Sequence, residues 1–162
     1  MEKENTAKAM GISLPISTKQ AVEICSFLRG KTIEQGKNIL ANVIEKKAAI
    51  PFKRYNRDMG HKTGMAAGRY PKKASSHILK LLESVEANAQ NKGLTPPFKI
   101  TKILANKAAK QWHYGRHLRT KMKKTHVEII VAEAEKSEKK QYKKQEKIQM
   151  NKPEIKIVGN KK

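Results

Sequence analysis

The segment from Lys107 to Lys124 sets the strongest limit on how this chain folds. It carries seven cations (Lys107, Lys110, Arg116, Arg119, Lys121, Lys123 and Lys124), two aromatic residues (Trp112 and Tyr114), two histidines (His113 and His117) and no carboxylate. Strand-like apolar runs flank it, FKITKILA from Phe98 and HVEIIVA from His126. Two strands joined by a long basic connection predict a β-hairpin whose tip leaves the body of the protein. Water does not stabilise so many like charges on a ribbon that buries little apolar area, whereas a polyanion does. Cations interleaved with flat rings suit RNA, whose phosphates take the charge and whose unpaired bases stack on aromatic faces.

The rest of the chain agrees. Its 36 Lys and Arg stand against 14 Asp and Glu in 162 residues, a formal net charge of +22, and the pI is near 10.2. Such a balance speaks to partners rather than to fold. Anionic lipid would also attract it, but the sequence has no apolar run of the roughly 18 residues that a membrane span needs. The opening MEKENTAKAM reads as neither signal peptide nor anchor. A single Cys25 allows no internal disulfide and falls on the apolar side of an expected helix, which predicts a small core residue in a reduced, cytoplasmic compartment. The length suits one domain with tails, and 5% aromatic content implies an aliphatic core.

Met10, Ile12 and Leu14 alternate, a weak strand signal that Pro15 ends. Ser17-Thr18-Lys19-Gln20 then reads as a capping box, followed by Val22, Cys25 and Leu28 at helical spacing and by Gly30 as a stop. Thr32-Ile33-Glu34-Gln35 is a second box, leading into Ile39, Leu40, Val43 and Ile44. Pro71 suits the first turn of a long helix. Ile78, Leu82, Val85 and Ala89 form its buried stripe, Leu79 and Leu81 widen it, and Gly93 closes it. In the last leg Val127, Ile129 and Val131 alternate cleanly, while a change of phase between Ile100 and Ile103 predicts a bulge in the preceding one.

Between Pro51 and Lys73 periodicity stops. This stretch has seven cations against the lone Asp58, together with Tyr55 and Tyr70. A loop of about 20 residues inside a compact domain calls for a function or an ordering partner, and RNA supplies one. The candidate RNA contacts are therefore Lys53, Arg54, Tyr55, Arg57, His61, Lys62, Arg69, Tyr70, Lys72 and Lys73 from this loop. Lys107, Lys110, Trp112, Arg116, Arg119, Lys121, Lys123 and Lys124 join them from the hairpin. Residues 134–162, rich in Lys, Glu and Gln with almost no apolar stripe, read as a solvated tail or a frayed helix.

Catalytic and metal chemistry find little footing. His113 and His117 stand four apart, but no Cys or carboxylate completes a metal site there. Cys25 and Ser26 have no histidine beside them, His77 reads as a helix-surface residue, and Glu83 and Glu86 as solvent-side carboxylates. Gly60, Gly64 and Gly68 do not make a phosphate-binding loop, because the Walker pattern is missing and no strand leads into them. The expectation is a protein that is not an enzyme and needs neither metal nor cofactor nor small-molecule substrate.

Several motifs resemble a known family. GRYPKKASSHILKLLESVEANAQNKGL (Gly68 to Leu94), preceded by PFKRYN (Pro51 to Asn56), is similar to the archaeal and eukaryotic branch of the large-subunit ribosomal protein twenty-two family. ISTKQAVEICSFLRGK (Ile16 to Lys31) resembles that family's first helix, and THVEIIVAE (Thr125 to Glu133) its last strand. The resemblance runs from about Thr6 to Glu133, and the insertion between the second and third helices marks the branch. It implies an α+β fold, a three-stranded antiparallel sheet packed on three helices, with a long protruding hairpin, while the basic C-terminal tail lies outside the region of resemblance. Residues 1–133 would form the RNA-binding domain, with 51–73 as a basic insertion, 107–124 as the extended hairpin loop, and 134–162 as the tail. The partners it implies are large-subunit rRNA, neighbouring large-subunit proteins and the nascent polypeptide, on cytoplasmic ribosomes and with no membrane. The legs fall on Phe98–Lys110 and Met122–Glu133. The tunnel-facing tip would be Gln111, Trp112, His113, Tyr114, Gly115, Arg116 and His117, in which Gly115-Arg116 matches the family's Gly-Arg. A free-standing RNA chaperone or nucleic-acid architectural protein is the alternative that the basic hairpin alone allows.

Overall fold

The computed structural model describes residues 5–134. Strand β1 (Thr6–Leu14) is followed by α1 (Thr18–Leu28) and α2 (Ile33–Ile44). A short ribbon, β2 (Ile50–Pro51) with β3 (Gly68–Arg69), precedes α3 (Lys72–Asn91), and β4 (Phe98–Lys107) and β5 (Thr125–Glu133) follow. β5 lies between β1 and β4 in an all-antiparallel sheet, with the three helices supplying the other layer of one core. The α+β class expected from the resemblance is the observed one. The expected tail lies, beyond Ala134, outside the described residues.

The helices follow their periodicities. In α3, Ile78, Leu82, Val85 and Ala89 are buried, together with Ala74 and Ser75 at its start, and Leu79 and Leu81 pack partly buried beside them. Each fully buried Leu or Ile contributes about 1.5–3 kcal/mol relative to exposure. The Lys37 ammonium donates to the Glu86 carboxylate and ties α2 to α3. Gly30 and Gly93 end α1 and α3 with φ of +78° and +72°, a region that glycine enters without a Cβ clash.

The expected bulge is present. Ile100 pairs with Val131 and Lys102 with Ile130, leaving Thr101 unpaired, so that Ile100 and Ile103 both face the core. The turn after α1 covers this edge of the sheet: Gly30 donates its N–H to the Ile100 carbonyl, and Ile100 donates to that of Lys31.

The strand that the alternation signals is present as β1, and its Met10 and Ile12 face outward, 59% and 65% exposed. The inward face is small: Ala7 is buried, Ala9 partly so, and a Cβ on Gly11 would come within 2.9 Å of a Leu81 methyl. α3 lies so close to β1 that only small side chains fit between them. The first capping box does not form. Ser17 occupies the N-cap position of α1 without a side-chain bond, whereas Thr32 and Gln35 make both reciprocal bonds at α2. Val22, expected on the buried stripe, is only half-buried; Ala21, Ile24, Cys25 and Leu28 fill that face, and Glu23 is buried with them.

Candidate nucleic-acid interface

An α-helix opens with N–H groups that have no partner inside it and with the positive end of its dipole, so a first turn favours caps and acids. α2 obeys, with its capping box and Glu34. α1 and α3 do not. Neither has a side-chain cap or an acid in its first turn, and both carry lysines there, Lys19 in α1 and Lys72 and Lys73 in α3. Both of these positive ends open onto the same region.

Two adjoining grooves occupy that region. One, of about 610 Å³, is lined by Ser17 to Gln20 of α1, by Tyr55 and Asn56 of the first basic loop, and by Lys107, Lys110 and Lys123 of the hairpin root. The other, of about 510 Å³, lies between the starts of α1 and α3 (Ser17, Gln20, Lys73, Ala74) and the hairpin (His113 and Lys121 to Lys124). Among the described residues no acid lines either groove. Among like charges at this density an anion is the missing counterpart.

The hairpin ladder continues past β4 and β5. Ala108 donates to the Lys124 carbonyl, Met122 to that of Gln111 and His113 to that of Thr120, and Trp112 bridges to Lys121. A single 3-10 turn, Gly115–His117, forms the tip. Beyond Ala108 this connection buries no residue until Thr125. Trp112 is 58% exposed, with the Lys121 ammonium 4.3 Å from its ring centre, and Tyr114 is 84% exposed. The rings of His113 and His117 meet edge to face at 6.4 Å. No cluster of three or more His, Cys, Asp or Glu side chains stands where it could hold a metal, among the described residues.

The first loop departs from expectation. It is tied down by the chain itself: Phe52 and Ala67 are buried, Phe52 donates to the Ala67 carbonyl, and Lys62 and Met65 exchange backbone bonds in a tight turn. Its anchor is Glu23, whose carboxylate accepts from the N–H groups of Lys53, Arg54 and Tyr55. RNA is thus not required to order the start of this segment.

Of the candidate residues, Tyr55, Lys73, Lys107, Lys110, Lys121, Lys123 and Lys124 converge on the two grooves. Lys53 lines a smaller recess beside Glu23. Arg57, His61, Lys62, Arg69 and Lys72 are exposed outside the grooves, as are Arg116 and Arg119 near the tip; Tyr70 is half-buried, with the Lys62 ammonium 5.8 Å from its ring centre. Sequence reasoning missed Ser17, Thr18, Lys19 and Gln20, which line the first groove. The signal available was a lysine in the first turn of a helix, where the dipole disfavours it.

Residues 9–132 match the family described as ribosomal protein L22p/L17e. The chain belongs to that family. Among L22p/L17e relatives, the large ribosomal subunit protein uL22 of Archaeoglobus fulgidus is 50% identical over 96 residues, 57% of this chain and 62% of that relative. The uL22 of Methanosphaera stadtmanae is 41% identical over 140 residues, 81% of this chain and 91% of the relative. That of Staphylothermus marinus is 40% identical over 146 residues, covering 83% and 93%. The L22p/L17e match takes in the first basic loop, both helix starts and the whole hairpin, so the grooves lie inside the region shared with the family.

Proposed function

We propose that this protein is a structural component of the large ribosomal subunit, working in the cytoplasm without a catalytic role, and that it binds large-subunit rRNA through the two grooves and the hairpin. Its relatives carry the name large ribosomal subunit protein. The observation that carries the rRNA reading is the convergence of two uncapped, lysine-bearing helix starts with the hairpin lysines around grooves that no described acid lines. Phosphates entering there meet free N–H groups, helix dipoles and ammonium groups at once.

The mechanism is charge neutralisation with wedging. Cations brought between crowded RNA segments lower their repulsion and let them pack, while Trp112 and Tyr114 offer exposed rings to unpaired bases. The hairpin tip, Gln111 to His117, reaches the nascent-peptide exit tunnel, and neighbouring large-subunit proteins complete the set of partners. Residues 1–133 act as the rRNA-binding domain, with 134–162 a separate Lys/Glu-rich tail. Sedimentation tests the first part: tagged chain should travel with large subunits through a moderate salt wash, and redistribution to free RNA-containing fractions would refute it. A cross-linker at His113 or Tyr114 tests the tunnel role. It should capture nascent peptide on translating ribosomes, and capture of RNA alone at every peptide length would limit the tip to RNA packing.

A further inference from the structure

Glu23 is 2% exposed, on α1 beneath the first basic loop, in a chain of net charge +22. A buried carboxylate is costly unless its oxygens are fully hydrogen-bonded. Here the main chain of the first basic loop does this: Oε2 accepts from Lys53 N–H at 3.0 Å, and Oε1 from Arg54 N–H at 2.9 Å and Tyr55 N–H at 2.7 Å. Bonds to an ionised acceptor are about twice as strong as neutral ones, and these join segments 30 to 32 residues apart in sequence.

Three successive amides turned toward one carboxylate fix the course of the backbone that carries them. Lys53 and Arg54 are left exposed, while Tyr55 is half-buried in the wall of the larger groove, facing Lys107, Lys110 and Lys123. Its ring has the Lys19 ammonium at 5.9 Å and the Arg54 guanidinium at 5.4 Å from its centre. The anion that collects these groups sits beneath them, out of solvent.

We infer that Glu23 is a positioning residue for RNA binding: its carboxylate holds the Lys53–Tyr55 backbone in the RNA-ready form, so that Tyr55 lines the groove, with Lys53 and Arg54 exposed beside it, without an ordering cost at binding. This rests on the rRNA reading above. It makes a counter-intuitive demand of electrostatics. Removing a negative charge from a protein that binds a polyanion should tighten binding if Glu23 acts only through its charge. It should weaken binding if Glu23 acts by holding the loop.

The test uses the full chain and a large-subunit rRNA fragment that the wild type retains, with Glu23→Gln and Glu23→Ala beside a Lys107→Gln/Lys110→Gln/Lys123→Gln control. Gln keeps the size and one accepting oxygen, so Glu23→Gln keeps the question answerable should Glu23→Ala fail to fold. For Glu23→Gln, affinity is expected to fall roughly 3- to 10-fold, with the salt slope flattened by about one contact. Lys53, facing a donor instead of Oε2, is expected to exchange its amide faster, while Leu79–Ala89 amides stay protected. Unchanged or tighter binding by Glu23→Gln, with the lysine control weakened, overturns the inference and leaves the rRNA reading standing. If the lysine control also binds like wild type, the groove reading falls and takes this inference with it.

Discussion

The hydroxyls of Thr18 and Thr125 lie 2.8 Å apart and join the start of α1 to the first residue of β5, where the basic hairpin connection returns to the sheet. Thr125 is fully buried and gives its one proton to the Ile16 carbonyl at 3.0 Å, so Thr18 is the donor in the pair. This link fixes one wall of the grooves against another. Thr125→Val keeps the shape but leaves the Thr18 hydroxyl and the Ile16 carbonyl without this partner. Urea unfolding is expected to show a loss of about 1–3 kcal/mol, accompanied by weaker RNA binding. A loss under about 0.5 kcal/mol, the scale of an ordinary surface change, would show that the link is not structural.

The two faces of β1 give a second prediction. Met10→Thr and Ile12→Thr are expected to change stability by no more than about 0.5 kcal/mol, since both side chains are exposed. Leu82→Ala, in the packed layer beneath the sheet, is expected to cost about 2–5 kcal/mol. Denaturant midpoints check both, and a large cost at Met10 would place β1 the other way round.

What could be read in the sequence was what depends on near neighbours. The stripe of α3, the Thr32–Gln35 box and the phase change that marks Thr101 as a bulge are all set within a few residues, and all three appear in the fold. The facing of β1 was not legible, because the close approach of α3 at Gly11 comes from a helix some 70 residues away in sequence and overrides the preference of large residues for the core. The Ser17 box failed for a related reason: Ser17 and Gln20 line the grooves rather than cap one another. Glu23 could not be singled out, since nothing near it in sequence reveals that amides about 30 positions on turn toward it. At the site, the cations were legible as a class. Which of them share a groove depended on the packing of α1 against the hairpin root.

Cys25 supplies a prediction in pH. Burial pushes its thiol up from 9.0 to about 12, against a lowering pull from Arg29. The folded chain therefore keeps this proton when the unfolded chain has released it. The resulting stability is fully present below pH 9.0 and is lost as pH rises toward 12. Between pH 9 and 10 the wild type should lose about 1 kcal/mol more than Cys25→Ala, as read by denaturant titration at each pH. The folded thiol should also resist iodoacetamide at pH 8. Parallel losses in the two proteins would contradict its burial.

The salt dependence of rRNA binding tests the groove most directly. Each phosphate neutralised adds about 0.7–0.9 to the slope of log affinity against log salt. Replacing Lys107, Lys110 and Lys123 by Gln should flatten the slope for a large-subunit rRNA fragment by about two to three. Replacing Lys46, Lys80 and Lys102, which are exposed but line neither groove, removes the same charge and should leave the slope within about one of wild type. Equal flattening by the two sets, or none by the first, would mean that RNA is not held where α1, the first basic loop and the hairpin meet.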